Sequence, residues 1–101
     1  MKRKPDRQAL YELLASIPRG HVTTYGQLAE RLGEPHWARA IGNALHRNPD
    51  GDRYPCYKVV NCRGELSRAY AFGSIDEQKR RLESDGIIVE NGKVDLKRYG
   101  I

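Results

Sequence analysis

The stretch YPCYKVVN, Tyr54 to Asn61, places a cysteine among side chains that could take part in nucleophilic chemistry. A thiol attacks carbon as the thiolate, and a free cysteine with a pKa near ~8.5 is only a few per cent ionised at neutral pH. Lys58 could favour the ionised form of Cys56, whereas the phenol of Tyr57, with a pKa near ~10, is a poor proton acceptor at pH 7. The alternative is a structural cysteine, because buried free thiols are common and inert.

The other groups that could bind a metal are too dispersed to form a site. Cys62 is the second cysteine, and the histidines His21, His36 and His46 stand apart from both thiols, without the paired spacings of a zinc site. We therefore expect no metal and no cofactor. In a reducing compartment both thiols should be free, so any reactivity of Cys56 depends on its local environment.

Length and composition limit the possible functions. A chain of 101 residues can bury one modest core, so we expect a single domain over residues 1–101 and a monomer. The start MKRKPDR lacks the apolar block of a signal peptide, and no apolar stretch approaches the roughly 20 residues that cross a bilayer, which predicts a cytoplasmic protein without membrane contact. The net charge of +5 favours polyanionic partners, and DNA binding would associate the protein with the nucleoid.

The N-terminal half has the pattern of three helices. The segment DRQALYELLASI predicts the first, through apolar residues at helical spacing: Leu10, Leu13, Leu14 and Ile17. Gln27 follows Thr24 at capping-box spacing, so a second helix should begin near Tyr25 and end at Gly33. Pro35 then opens a third helix, HWARAIGNALHR, and so short a connection predicts a helix-turn-helix.

The third helix combines small residues with polar donors. Its small residues leave little bulk around the polar ones, so its backbone could approach a partner closely; the small residues are Ala38, Ala40, Gly42 and Ala44, and the polar ones are Arg39, Asn43 and Arg47.

The C-terminal third predicts one more helix and a hairpin. Ser74 and Glu77 have capping-box spacing, so a fourth helix should cover IDEQKRRLESD and end at Gly86. Asn91 and Gly92 tolerate the positive φ angles of a type I′ turn, so IIVENGKVDL should form a hairpin, or wing. The predicted fold is mainly α with a short β hairpin: a winged helix-turn-helix DNA-binding domain.

Several segments resemble, in order and spacing, the cysteine-bearing DNA-binding domain of O6-alkylguanine-DNA alkyltransferases (methylated-DNA-protein-cysteine methyltransferases) and of alkyltransferase-like proteins. They are IPRGHVTTYGQLA, ARAIGNALHRNP, PCYKVVN followed by GELS, and RLESDGI, and the resemblance covers roughly Leu10 to Val89. It implies a domain that enters the minor groove of duplex DNA, flips out an O6-alkylguanine and transfers the alkyl group irreversibly to Cys56, without an N-terminal ribonuclease-H-like domain. Flipping is required because a stacked base hides its alkylated oxygen.

The resemblance also implies roles for individual residues. Arg39 matches an arginine finger that replaces the extruded base, Tyr25 matches a tyrosine that presses on the phosphate of the flipped nucleotide, and Asn48 matches a hinge between the third helix and the cysteine loop. The alternatives are a solvent-facing helix residue for Arg39, an aromatic packed on the core for Tyr25 and a helix stop for Asn48.

Two further groups follow from the same resemblance. The first would lie near the DNA backbone: Thr24, Gly42, Asn43, Arg47, Lys58 and Arg63. The second would line the base pocket: Pro55, Val59, Ser67, Tyr70 and Phe72. The aromatic residues of this second group differ from the family pattern, and they could stack on the flipped base or narrow its pocket.

The main departure from the family lies beside the cysteine. The family motif is P-C-H-R, in which the histidine relays a proton through water towards a glutamate; here Tyr57 and Lys58 stand in place of the histidine and arginine, and Asp85, or else Glu83, stands for the carboxylate. A hydroxyl from Tyr57 or Tyr25 could protonate the departing guanine and so improve it as a leaving group.

Three functions are compatible with these features. The first is a single-turnover DNA alkyltransferase with Cys56 as the acceptor. The second is a non-enzymatic sensor that binds O6-alkylguanine and flags it for nucleotide excision repair proteins. The third is a winged-helix transcription factor, which would prefer a DNA sequence over a lesion.

Overall fold

The computed structural model describes residues 7–33, 35–48, 50, 53–66 and 75–101. In this part of the chain the helices are α1 (Arg7–Ala15), α2 (Tyr25–Arg31), α3 (Ala38–His46), α4 (Ile75–Ser84) and α5 (Leu96–Tyr99). The strands are β1 (Thr23–Thr24), β2 (Val59–Val60), β3 (Val89–Glu90) and β4 (Lys93–Val94), and two 3-10 turns cover Pro35–Trp37 and Cys56–Lys58. No helix among these residues is long and apolar enough to span a bilayer.

The helix-turn-helix is confirmed, with its caps. The Thr24 hydroxyl accepts a hydrogen bond from the backbone N–H of Gln27 at 3.1 Å, which caps α2. Gly33 follows the helix with φ of +99°, a conformation that glycine adopts without steric cost. The third helix is shorter than predicted, because its first turn, Pro35–Trp37, has 3-10 geometry and the α-helix begins at Ala38.

A two-stranded parallel sheet joins the helix-turn-helix to the cysteine segment, and the sequence did not reveal it. Thr23 pairs with Val59 and Thr24 with Val60. Each strand has two residues, too few for a period-two pattern. The pairing fixes β2, and with it the 3-10 turn Cys56–Lys58, beside the start of α2. We refer to Cys56–Lys58 as the cysteine turn.

Two apolar clusters meet at the cysteine turn. The first joins α1, α2 and α3 to the turn, and its central members include Leu10, Leu14, Leu28, Ile41, Cys56 and Val59. The second joins α4, the hairpin and the C-terminus, and it includes Val22, Val60, Leu82, Ile87 and Tyr99. Tyr57 packs against both clusters. The cysteine turn is therefore held from both sides of the domain.

The predicted hairpin and the end of α4 are confirmed. Asn91 and Gly92 form the turn between β3 and β4 with φ of 52° and 72°, as a type I′ turn requires. Gly86 follows α4 with φ of +83°. Ser74, the predicted cap of α4, lies outside the described residues. Helix α5 was not predicted from the sequence. The residues at its C-terminal end pair with Val22, whose N–H donates to Tyr99 O at 2.9 Å and whose carbonyl accepts from Ile101 N–H at 3.0 Å.

Candidate functional site

The cysteine turn begins with a sharp bend at Pro55. The backbone N–H of Cys56 donates to Tyr54 O at 2.7 Å, and that of Lys58 donates to Pro55 O at 3.1 Å. Pro55 adopts φ of −76° and ψ of 73°, so the chain reverses there and enters β2 at Val59. The bend places Cys56 in the first apolar cluster, alongside residues of α3.

Asn48 ties the end of α3 to this bend. Its side chain is buried, its Nδ2 donates to Tyr54 O at 2.7 Å and its Oδ1 accepts from Asp50 N–H at 3.0 Å. The same amide makes a hydrogen bond with the Cys56 thiol. Asn48 therefore connects the last residues of α3 to both the backbone and the sulfur of the acceptor segment.

The thiol of Cys56 is sheltered, with the residue 6% exposed. Burial raises the pKa of this thiol above its ordinary value, because the charged form loses hydration. The hydrogen bond from Asn48, a backbone hydrogen bond within Cys56 and the positive charge of Arg81 act in the opposite direction. The resting state of the site is therefore the neutral thiol.

Tyr57 is hydrogen-bonded to the carboxylate of Asp85. Its Oη donates to Asp85 Oδ2 at 2.7 Å, and this carboxylate also lies 3.9 Å from Lys58 Nζ and 3.9 Å from Arg19 Nε. Glu83, the alternative carboxylate, is exposed. The geometry thus brings Asp85 to the tyrosine beside Cys56.

Lys58 was predicted to lie near DNA phosphates, but its ammonium is bound inside the protein. The residue is 5% exposed, and its Nζ donates to the carbonyl oxygens of Ile17 at 2.9 Å and Pro18 at 3.2 Å. Burial lowers the pKa of Lys58, while the negative charge of Asp85 opposes that shift. Its ammonium links the end of α1 to Asp85, so it is not an exposed cation available to a phosphate.

The predicted DNA-binding side chains of α3 lie along one exposed line. Arg39, Asn43 and Arg47 are spaced by four residues, and all three are exposed. Helix α3 carries no acidic residue. Gly42 lies against Tyr25, since a Cβ at Gly42 would be 3.9 Å from Tyr25 Cε1. The tyrosine therefore stands at the start of α2 with its ring beside α3.

Of three other predicted site residues, two are buried and one is exposed. Thr24 is buried and its hydroxyl caps α2, so it does not present an open side chain to DNA. Val59 is 1% exposed and belongs to the first cluster, so its side chain packs in the core and does not line an open pocket. Arg63 is exposed in the turn after β2, where it lies 3.9 Å from Glu65 and faces the hairpin.

The remaining pocket assignments fall partly outside the described residues. Ser67, Tyr70 and Phe72 lie there, so their predicted contacts with a flipped base stay predictions. Pro55 is half-buried at the bend before the sulfur.

Two residues of α4 that the sequence analysis passed over contribute to the site. Gln78 is fully buried, and its Nε2 donates to Tyr57 O at 3.0 Å and to Val59 O at 3.1 Å. The sequence does contain a signal for this role. Gln78 lies four residues before Leu82, on the same face of the helix, and a polar side chain on an apolar face needs hydrogen-bond partners. The positive charge of Arg81, from the same helix, is a smaller influence that lowers the pKa of the Cys56 thiol.

Comparisons with known proteins show which family the chain resembles. Residues 5–87 match the family described as 6-O-methylguanine DNA methyltransferase, DNA binding domain. A bifunctional methyltransferase/endonuclease of Picrophilus torridus is 54% identical over 90 residues, which cover 89% of this chain and 30% of that protein. A DNA base-flipping protein of Vibrio parahaemolyticus is 38% identical over 91 residues, which cover 89% of both chains.

A solved structure has a similar fold. The crystal structure of Schizosaccharomyces pombe Atl1 in complex with damaged DNA containing O6-carboxymethylguanine has a TM-score of 0.87 and 29% sequence identity, and the match covers 100% of this chain and 98% of that one. Other relatives bear the names methylated-DNA–protein-cysteine methyltransferase and alkyltransferase-like protein. The chain therefore belongs to the family of 6-O-methylguanine DNA methyltransferase DNA-binding domains.

Proposed function

We propose that the protein binds duplex DNA through α3, rotates an O6-alkylguanine out of the stack and transfers the alkyl group to Cys56, once per molecule. The observation that carries the proposal is the bridge made by Asn48, which joins the end of α3 to Tyr54 O and to the thiol. A helix that holds DNA and a thiol that accepts carbon must keep a fixed separation, and this bridge provides it.

The charge and shape of α3 support DNA as the partner. Arg39, Asn43 and Arg47 form an exposed line free of acidic neighbours on the helix, and Gly42 keeps the helix surface low beside Tyr25. A long planar guanidinium suits insertion into a narrow, electronegative minor groove. We assign Arg39 the place of the extruded base and Tyr25 the contact with its phosphate.

The transfer step is a displacement at carbon. A lone pair of the Cys56 thiolate forms the S–C bond while the C–O6 bond breaks and its electron pair passes to the guanine. The guanine then takes up one proton, which balances the proton lost by the thiol. No later step breaks the new S–C bond, so Cys56 stays alkylated and each protein molecule reacts only once.

Tyr57 and Asp85 provide a route for that proton. The phenol proton is directed to Asp85 Oδ2, so the lone pairs of the phenol oxygen remain on the acceptor side. A proton that leaves the thiol, directly or through water, can bind this oxygen as the phenol proton shifts towards Asp85. The pair then returns a proton to the guanine.

Mass spectrometry tests the transfer. The protein is incubated with duplex DNA containing one O6-methylguanine and then digested with trypsin, which cleaves after Arg53 and Lys58 and so separates Cys56 from Cys62. We expect the peptide Tyr54–Lys58 to gain the mass of a methyl group in place of hydrogen, and the peptide Val59–Arg63 to remain unchanged. An unchanged Tyr54–Lys58 peptide after prolonged incubation with excess DNA would eliminate transfer.

A second candidate, the lesion sensor without chemistry, is favoured by the raised pKa of the Cys56 thiol. It predicts that Cys56→Ser keeps the full preference for O6-methylguanine duplex over unmodified duplex, with no methylated peptide in the wild type. Nucleotide excision repair proteins would then be recruited by the complex, which a pull-down on lesion-containing DNA measures. A transcription factor would instead prefer one DNA sequence irrespective of the lesion.

A further inference from the structure

Three segments of the chain meet around the carboxylate of Asp85. Tyr57 and Lys58 come from the cysteine turn, Arg19 comes from the segment after α1, and Asp85 itself follows α4. The segments also meet through the backbone, because Arg19 Nη2 donates to Ser84 O at 2.7 Å. The side chain of Asp85 is only 14% exposed, so its negative charge has to be balanced largely by protein groups.

Two cations that face this carboxylate differ in exposure and in anchorage. Arg19 Nε lies 3.9 Å from Asp85 Oδ1, but its side chain is 75% exposed, so solvent weakens the pairing. Lys58 Nζ lies 3.9 Å from Asp85 Oδ2, and its side chain is 6% exposed. The same Nζ donates to the carbonyl oxygens of Ile17 at 2.9 Å and Pro18 at 3.2 Å, which fix its position. Of the two cations, Lys58 is the sheltered and anchored one.

The oxygen of Asp85 that faces Lys58 also accepts the hydrogen bond from Tyr57. Tyr57 Oη donates to Oδ2 at 2.7 Å, a short bond that the negative charge of the acceptor strengthens. The turn that carries both residues is held by Gln78, which donates to the carbonyls of Tyr57 and Val59. Without the ammonium of Lys58, the carboxylate would gain by turning towards Arg19 and water, and the phenol would lose its acceptor.

We propose that Lys58 is a positioning residue, the buried counter-charge that holds the Asp85 carboxylate against Tyr57 Oη. The inference deepens the proposed alkyl transfer and rests on it for its purpose. Lys58 acts through Asp85 and does not carry the proton itself. It keeps Oδ2 in place as the acceptor of the phenol proton, so the lone pairs of the phenol oxygen stay available to the proton that leaves the thiol.

The first measurement follows the hydrogen bond between Tyr57 and Asp85 in the absence of DNA. The Cζ chemical shift of isotopically labelled tyrosines reports hydrogen bonding of the phenol. Tyr57→Phe assigns the signal, and Asp85→Ala gives its position when the acceptor is missing. In Lys58→Met, the Tyr57 signal should move most of the way to the position found in Asp85→Ala. Lys58→Arg, which keeps a cation and its donors, should return the signal towards that of the wild type.

The second measurement asks whether Lys58 acts through Tyr57. The rate of methyl transfer is read in rapid-quench experiments from the loss of O6-methylguanine in the duplex. Lys58→Met should slow transfer roughly 3- to 30-fold in the wild type, but by less than about twofold in Tyr57→Phe, because the proton route that Lys58 supports is already missing there. A purely structural role would slow both proteins by the same factor.

Arg19→Gln is the matched control, because it removes the exposed cation from the other oxygen of the same carboxylate. It should leave the Tyr57 signal close to its wild-type position. If Lys58→Met does not fold, Lys58→Gln replaces it, since an amide keeps a donor for the backbone carbonyls without the charge. An unmoved Tyr57 signal, or an equal loss of rate with and without the phenol, would overturn the inference. A Tyr57 signal that moves as expected, with no methyl transfer by the wild type, would instead overturn the proposed function alone.

Discussion

Asn48→Ala tests whether Asn48 couples α3 to the cysteine turn, in addition to contributing to the stability of the fold. The substitution removes the hydrogen bonds to Tyr54 O and from Asp50 N–H, and the one to the thiol of Cys56. Each net hydrogen bond contributes about 0.5–1.5 kcal/mol, and Tyr54 O keeps its hydrogen bond from Cys56 N–H, so no carbonyl is stranded there. We expect the free energy of unfolding to fall by about 2–4 kcal/mol, which for a domain of this size lowers Tm by roughly 10–20 °C.

The thiol provides the second readout. Because Asn48 lowers the pKa of Cys56, its removal should raise that pKa further and slow methyl transfer from DNA. Urea denaturation followed by circular dichroism gives the stability, and the methylated Tyr54–Lys58 peptide gives the transfer rate. DNA affinity should fall far less than the transfer rate, because the side chains of α3 that face solvent are untouched.

Asn61→Ala is a control of matched chemistry at another turn. Asn61 Oδ1 accepts from Arg63 N–H and Glu65 N–H at 2.9 Å each, and its Nδ2 donates to Glu65 Oε1 at 2.7 Å. This variant should lose a similar amount of stability and leave the pKa of Cys56 unchanged. Should both variants slow methyl transfer equally, at temperatures where both are folded, the role of Asn48 as a specific link would be refuted.

Three further changes test other parts of the site. Tyr57→Phe removes the hydroxyl that donates to Asp85. Binding of O6-methylguanine duplex should persist, while the rate of methyl transfer should fall at least tenfold. An unaltered rate in rapid-quench measurements would rule out the phenol as a proton route. Arg39→Gln should weaken binding to lesion-containing duplex, because Arg39 takes the place of the extruded base in the base stack. The slope of log K against log salt concentration should change by less than about one unit, since few phosphate contacts are lost. Fluorescence anisotropy at several salt concentrations measures both quantities. The folded-state pKa of the Cys56 thiol lies above its ordinary value, so the stability that this thiol contributes is present below the ordinary value and is lost as pH rises through the folded pKa. The unfolding free energy of the wild type should therefore decline relative to Cys56→Ser at alkaline pH, and parallel curves would contradict the assignment.

The features that the sequence predicted well are those set by a few consecutive residues. The turn at Asn91 and Gly92 needs two positive φ angles, and only certain residue types accept them. The cap of α2 depends on Thr24 and on the N–H three residues later. Such requirements are satisfied within one turn of chain, so the residue types alone reveal them.

The features that the sequence missed depend on distant partners. Lys58 looks like a surface cation, yet its ammonium is bound by carbonyls of Ile17 and Pro18, about forty positions earlier in the chain. The parallel pairing of Thr23 with Val59 spans a similar separation. The sequence cannot indicate which cation is engaged by the protein itself, because that depends on where the two apolar clusters meet.

The difference between a transferase and a sensor therefore comes down to one quantity, the fraction of Cys56 that is ionised when DNA is bound. Phosphates add negative charge near the site and disfavour a thiolate. The exposed arginines of α3 would be occupied by those phosphates, and the ammonium of Lys58 is already held by Asp85 and two carbonyls. The hydrogen bond from Asn48, which lowers the pKa of the thiol, lies within the protein and does not depend on these cations. Cys56 can thus react beside a tyrosine only if the hydrogen bonds that stabilise its thiolate, above all the one from Asn48, offset enough of the cost of burial once DNA is bound.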